Sequence, residues 1–221
     1  MIELKHFAPA DIERESMKII KNELETLGKK IDPVNEKIIL RAIHTTADFD
    51  YADSLFFTDG AADRAILALR NGADIVTDTN MAKAGVSKNA LKKAGGDVFC
   101  YMADCDVAAR ARQEKTTRAV AAMKKAASEN SGAVLAVGNA PTALFEICDL
   151  IGKGLRPALV IGVPVGFVNV VESKERLKET CLRYDIPAVI AMGRKGGSSV
   201  AAAICNALLY DAANMSDPEK R

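Results

Sequence analysis

Apolar residues follow two successive patterns along these 221 residues, and the change falls near Leu67. Before it they recur at helical spacing. In PADIERESMKIIKNELETLG (9–28), Ile12, Ile19, Ile20, Leu24 and Leu27 form one stripe, Pro9 and Asp11 stand near the start, and Gly28 marks a stop. Ser16 lies four residues from both Ile12 and Ile20 and so shares their face. A short polar residue there either bonds its own helix backbone or faces a ligand. A second helix is expected in DPVNEKIILRAIHTTAD (32–48), with Asp32 as N-cap and Pro33 in the first turn. Arg41 and His44 project from one side near its end, where the helix dipole favours a protonated imidazole.

After Leu67 short continuous apolar runs alternate with helical stretches. ADIVTD precedes NMAKAGVSKNALKKAG, and DVFCYM precedes ADCDVAARARQEKTTRAVAAMKKAASEN. AVLAVG, PALVIGVPV and PAVIAMG each precede a further helical stretch, closing with SSVAAAICNALLY. Strands that are apolar throughout belong to a mostly parallel sheet covered on both faces. The expected fold is a single α/β domain over 1–221, Rossmann-like and three-layered, with a helical N-terminal segment. Residues 1–8 and the polar run 212–221 are expected to be peripheral.

Composition narrows the function classes. Thirty basic residues against 29 acidic ones give a net charge of +1, with no basic block, so no nucleic acid is expected as partner. The N-terminus lacks the basic-then-apolar order of a signal peptide, and no run reaches the roughly 20 apolar residues of a membrane span. No membrane partner is expected. The five cysteines, an odd number scattered through apolar segments, fit reduced thiols in the cytoplasm. Cys100 and Cys105 have no second metal-ligand pair, so no metal site is expected.

In a doubly wound sheet ligands bind beyond the carboxyl ends of the strands. Those ends are TDTNMAKAGV (77–86), VGNAPTALF (137–145), GVPVGFVNVVESK (162–174) and GRKGGSSVAAA (193–203). In the last, Gly196 and Gly197 allow close backbone approach, and Ser198 and Ser199 can cap the following helix. Arg194 or Lys195 stands ready beside an anion. A plain βα turn is the alternative reading. The glycines follow neither dinucleotide nor P-loop order. Asn139 stands near a cap and Pro141 in the first turn of the helix after VGNA. Pro164 and Gly166 interrupt an apolar run, leaving Val165, Phe167 and Val168 to line a pocket or a subunit contact. Apolar loops beside anion-binding turns suit a large, flat ligand bearing carboxylates.

These segments carry a resemblance. GNAPTALF, then PALVIGVPVGFVNVVESKE, then GRKGGS occur in the order found in the precorrin-8X methylmutase family, including its cobalt-precorrin-8 branch. The histidine ending an early helix, the IxxxS pattern at Ser16 and TTR at 116–118 match too. The resemblance runs from about Ile12 to Leu209 and implies an isomerase of vitamin B12 biosynthesis. It would move a methyl group from C-11 to C-12 of (cobalt-)precorrin-8, giving hydrogenobyrinate or cobyrinate. It further implies a homodimer with no cofactor. His44 maps onto the family's proton donor/acceptor, with Ser16 and Arg41 as nearby substrate contacts and Arg118 near the ring or its acids. His6 lies before the matched region and receives no role. Met81, Asn139, Thr142, Pro164, Gly166 and Phe167 are expected substrate contacts from the strand-end segments, as are Arg194, Gly196, Gly197 and Ser198. For Met81, Pro164 and Phe167, core or dimer packing is an equal reading. Many relatives have Arg-Ser-Phe where this chain has Glu15-Ser16-Met17, which removes a basic side chain from position 15. Two other classes compete: a non-catalytic carrier of a corrinoid intermediate, and a phosphate-ligand-binding α/β enzyme built on GRKGGSS.

Overall fold

The structure, a computed structural model, describes residues 9–220; residues 1–8, expected to be peripheral, lie outside it. The described residues open with two long helices. α1 (Pro9–Thr26) stops before Gly28 at φ 66°, and α2 (Glu36–Thr46) lies antiparallel to it. Glu13 meets Arg41 at 2.6 Å at one end of the pair, and Lys21 meets Glu36 at 2.8 Å at the other. α2 begins four residues after Asp32 rather than on it, with Asn35 at the cap. Asp32 instead takes the Val34 N–H and the Asn35 side chain, so its carboxylate closes the preceding turn.

The chain continues through α3 (Tyr51–Ser54), β1 (Leu55–Phe57), α4 (Ala61–Arg70), β2 (Ile75–Thr77), α5 (Asn80–Gly85), α6 (Lys88–Ala94) and β3 (Val98–Phe99). It then forms α7 (Cys105–Gln113), α8 (Arg118–Glu129), β4 (Val134–Val137), α9 (Pro141–Gly152), β5 (Leu159–Gly162), α10 (Val170–Tyr184), β6 (Ala188–Ala191) and α11 (Ser198–Ala212). Two stretches expected as single helices are each broken by a capping hydroxyl. Ser87 accepts the Ala90 N–H between α5 and α6, and Thr117 accepts the Val120 N–H between α7 and α8.

The strands form one six-stranded sheet in the order β1-β6-β5-β4-β2-β3, parallel except for β1, which pairs antiparallel with β6. Successive residues of a strand face opposite layers. Val134 and Ala136 enter the core beneath α11, while Leu135 and Val137 enter the core beneath α8 and α9. Leu159 and Ile161 alternate with Val160, and Val189 and Ala191 with Ile190, in the same way. Each central strand is therefore buried on both sides, which is why it is apolar at every position. α2, α4, α5 and α6 gather around α11 on one face, and α7 to α10 cover the other. The C-terminal polar run also packs. Ala212, Ala213 and Met215 are buried, and Arg14 of α1 bonds Asp217 and Glu219.

Sheet order reverses between β2 and β4, and the loops beyond β5 and β6 meet beside that point. Gly196 sets how closely. A Cβ there would sit 2.1 Å from the Val163 carbonyl oxygen, at φ 155°. Gly196→Ala is therefore expected to lower the unfolding free energy in urea by about 3 kcal/mol. Gly132→Ala, whose Cβ would meet nothing within 4 Å, is expected to leave it within about 0.5 kcal/mol.

Candidate active site

Immediately after β2 comes Asp78, which is fully buried. One carboxylate oxygen accepts the Gly138 N–H at 2.8 Å, and the other accepts those of Asn139 and Ala140 at 2.8 Å each. Burial pushes this carboxyl above its ordinary range, opposed by the three N–H bonds. The protein's own carboxylate thus occupies the entrance of α9. The Asn139 side chain stays exposed. The Thr142 hydroxyl lies 3.0 Å from that of Thr117, which caps α8, so Arg118 in the first turn of α8 stands at the same edge.

The other turns interlock with this one. The Ser198 hydroxyl meets that of Thr79 at 2.8 Å, rather than capping α11. Any Cβ on Gly138 would lie 2.8 Å from the Ser198 Cα. Gly197 donates its N–H to the Val163 carbonyl at 2.9 Å, and Gly166 donates to that of Arg194 at 3.2 Å. Pro164 is buried and supports this crossing, whereas Phe167, Val168 and Met81 are 83%, 78% and 72% exposed. The Arg194 guanidinium lies 5.6 Å from the centroid of the Phe167 ring. Lys174, in the second turn of α10, is fully buried beneath the 193–197 turn. Its ammonium donates to the Gly193 and Lys195 carbonyls, both at 2.8 Å, and burial lowers it to about 8.

The segment that follows His44 at the end of α2 reaches this edge. Past it the chain turns at Ala47, φ 54°, and Asp48 and Asp50 both grip the Lys195 ammonium at 2.6 Å. Lys195 is thereby committed to the protein, leaving Arg194 as the cation of the turn without a carboxylate partner among the described residues. The His44 imidazole is exposed and has no hydrogen-bond partner among the described residues.

Ser16 and Arg41 lie farther along the α1–α2 pair. The Ser16 hydroxyl donates to the Ile12 carbonyl at 2.8 Å, the backbone bond that its position allowed. Arg41 bonds Glu13 and lies 5.4 Å from the centroid of the Tyr210 ring. Arg41, Glu13 and Tyr210, with Met17 and Leu40, line a cavity of about 440 Å³ between α1, α2 and α11, and Ser16 is not part of that lining. The cavity and the strand-end turns are separate features, linked by one helix: Arg41 and His44 occupy the same side of α2. Sequence reasoning named neither Asp78 nor Lys174. Each sits in a polar triplet beside a strand end or helix start, TDT and ESK, where a charge usually meets water. Among the described residues no three His, Cys, Asp or Glu side chains cluster as a metal would require, and the five cysteines are unpaired.

Fold and site together define an enzyme-like three-layer α/β protein whose ligand edge is built from crossover loops. The precorrin-8X methylmutase family model matches residues 11–211. The chain is 45% identical over 206 residues to the cobalt-precorrin-8 methylmutase of Salmonella typhimurium, covering 91% of this chain and 95% of that one. It is 39% identical over 198 residues to the precorrin-8X methylmutase of Pseudomonas aeruginosa, covering 89% and 93%. The crystal structure of a precorrin-8X methylmutase from Thermus thermophilus superposes with a TM-score of 0.81 at 36% identity, covering 92% of this chain and 98% of that one. The chain belongs to the precorrin-8X methylmutase family. It is an isomerase of corrin biosynthesis that moves a methyl group within one molecule.

Two measurements probe the buried charges. Asp78→Asn turns an amide NH₂ toward backbone donors, and is expected to cost about 2–5 kcal/mol in urea unfolding, at about 1–3 kcal/mol per unmet buried donor. An unchanged midpoint would show that the carboxylate does not hold the α9 entrance. For Lys174 the folded value of about 8 lies below the ordinary 10.5. Between these pH values the unfolded chain holds a proton that the folded chain has released, so stability rises with pH. The unfolding free energy of the wild type, taken relative to Lys174→Met, should increase from pH 8 to pH 10; parallel curves would refute a buried ammonium.

Proposed function

We propose that the chain converts (cobalt-)precorrin-8 to hydrogenobyrinate or cobyrinate by moving the C-11 methyl to C-12, at the carboxyl edge of the sheet, with His44 as proton donor and acceptor. The family match, joined to an exposed imidazole at the end of α2, four residues before an aspartate that binds Lys195 of the 193–198 turn, carries this reading. Methyl migration within a conjugated ring is intramolecular, so the protein must hold one ring shape and manage a proton as conjugation is rearranged. An imidazole can both give and take a proton at a ring nitrogen, which is the task such a rearrangement sets.

Arg194 and Arg118 have no carboxylate partner among the described residues and are suited to the acetate and propionate groups of the ring. Ser198, Gly196 and Gly197 supply the turn behind Arg194. Asn139, Thr142 and Gly166 offer polar groups from the neighbouring turns, while Phe167 and Met81 supply exposed apolar surface and the buried Pro164 supports the crossing beneath. Ser16 and Arg41 contact the ring from the α1–α2 side.

The active unit is a homodimer, supported by the exposed apolar surface of Phe167, Val168 and Met81. It works in the cytoplasm, where unpaired thiols persist. Among the described residues no helix is long and apolar enough to cross a membrane.

His44→Ala is expected to fold and to bind the tetrapyrrole, yet to lose conversion by more than about 100-fold. The methyl position is read by NMR and the rate by the absorption change of the chromophore, with metal-free and cobalt-bearing substrate. Near-normal turnover would remove His44 from the chemistry. A wild type that binds the ring and leaves its methyl at C-11 would instead be a carrier.

A further inference from the structure

Lys174 is the largest fully buried side chain and the one ammonium in the core among the described residues. No carboxylate answers it there; its hydrogen bonds go to the carbonyls of Gly193 and Lys195, 2.8 Å each. Removing an ammonium from water is costly unless its donors are well met, so the group is anchored to those two oxygens.

They bracket one residue, Arg194. The Arg194 carbonyl itself accepts the Gly166 N–H at 3.2 Å. Three successive carbonyls are therefore held, two of them by Lys174, in a turn whose glycines at 193, 196 and 197 carry φ of 77°, 155° and 134°. Such a backbone has many alternative paths and little intrinsic preference for this one. The residue at the middle of the clamp is also the one whose guanidinium is uncommitted to a carboxylate, since Lys195 beside it is taken by Asp48 and Asp50.

We propose that Lys174 is a positioning residue for the substrate: by fixing the carbonyls of Gly193 and Lys195, it sets the direction in which Arg194 leaves the turn, and so the seat of one ring carboxylate. This rests on the reading of Arg194 as a substrate contact. Lys174 lies beneath the turn and acts through Arg194. Its ammonium need not touch the ring.

A double-mutant cycle with precorrin-8 as ligand tests this, using Lys174→Met, Arg194→Ala and the double variant. Arg194→Ala is expected to weaken binding by about ten- to a hundredfold, the range for a charged hydrogen bond. Lys174→Met should weaken it by about tenfold, and the double variant should bind as Arg194→Ala does, within about twofold, because both changes remove the same contact. Lys174→Gln, which keeps an N–H donor, should fall between wild type and Lys174→Met, and it carries the cycle should Lys174→Met fail to fold. Losses that multiply in the double variant would overturn the proposal, as would normal binding by both Lys174 variants alongside a weakened Arg194→Ala. Normal binding by Arg194→Ala would overturn the reading of Arg194 itself, and the positioning role with it.

Discussion

A charge moved out of water must be answered, and at the edge of this sheet two are answered by main chain. The Asp78 carboxylate gathers three N–H groups and the Lys174 ammonium two carbonyls. Loops usually leave such groups to water. Here they face inward, so each turn is fastened to an element other than its own. Asp78 joins the end of β2 to the entrance of α9, and Lys174 joins α10 to the turn between β6 and α11. The Thr79–Ser198 contact links the two halves. Four crossover connections become one surface, and none can shift without stranding a buried polar group of another.

That surface separates its cations by commitment. The chain is close to neutral, and many basic groups are paired with acids of the same molecule. Lys195 is held by Asp48 and Asp50, and Arg41 by Glu13, with the Arg41 and Glu13 side chains only 16% and 23% exposed. Such pairs shape the protein. Arg194, resting on Phe167, has no carboxylate partner among the described residues. A balanced total charge is therefore compatible with a locally cationic edge, because the balance is kept by groups that have already found one another.

Much of this was legible in the sequence, unevenly. β4, β5 and β6 announced themselves because burial on both faces requires apolar residues at every position, and β2 departs from that only at the buried Thr77. β1 did not. Leu55–Phe57 is three residues long, lies at the sheet edge and follows a one-turn helix, so neither length nor alternation marks it. The breaks at Ser87 and Thr117 were hidden among good helix formers, although both hydroxyls were available cap signals. The four strand-end segments followed from the doubly wound rule, and the roles proposed for His44, Ser16, Arg41 and Arg118 rest on the resemblance. Asp78 and Lys174 escaped because a charged letter looks the same whether it meets water or backbone. Only the third dimension tells which.

The pairing of β1 with β6 also has a consequence in time. The first described strand hydrogen-bonds only with the last, and the intervening chain is most of the domain. During synthesis at about 5–20 residues per second, Leu55–Phe57 waits on the order of ten seconds for its partner to leave the ribosome. The Ser54–Met192 and Asp48–Lys195 contacts form no sooner. The segment bearing His44 is therefore moored to the 193–198 turn among the last steps of assembly, and a nascent chain lacking β6 carries the histidine without that turn to hold its segment.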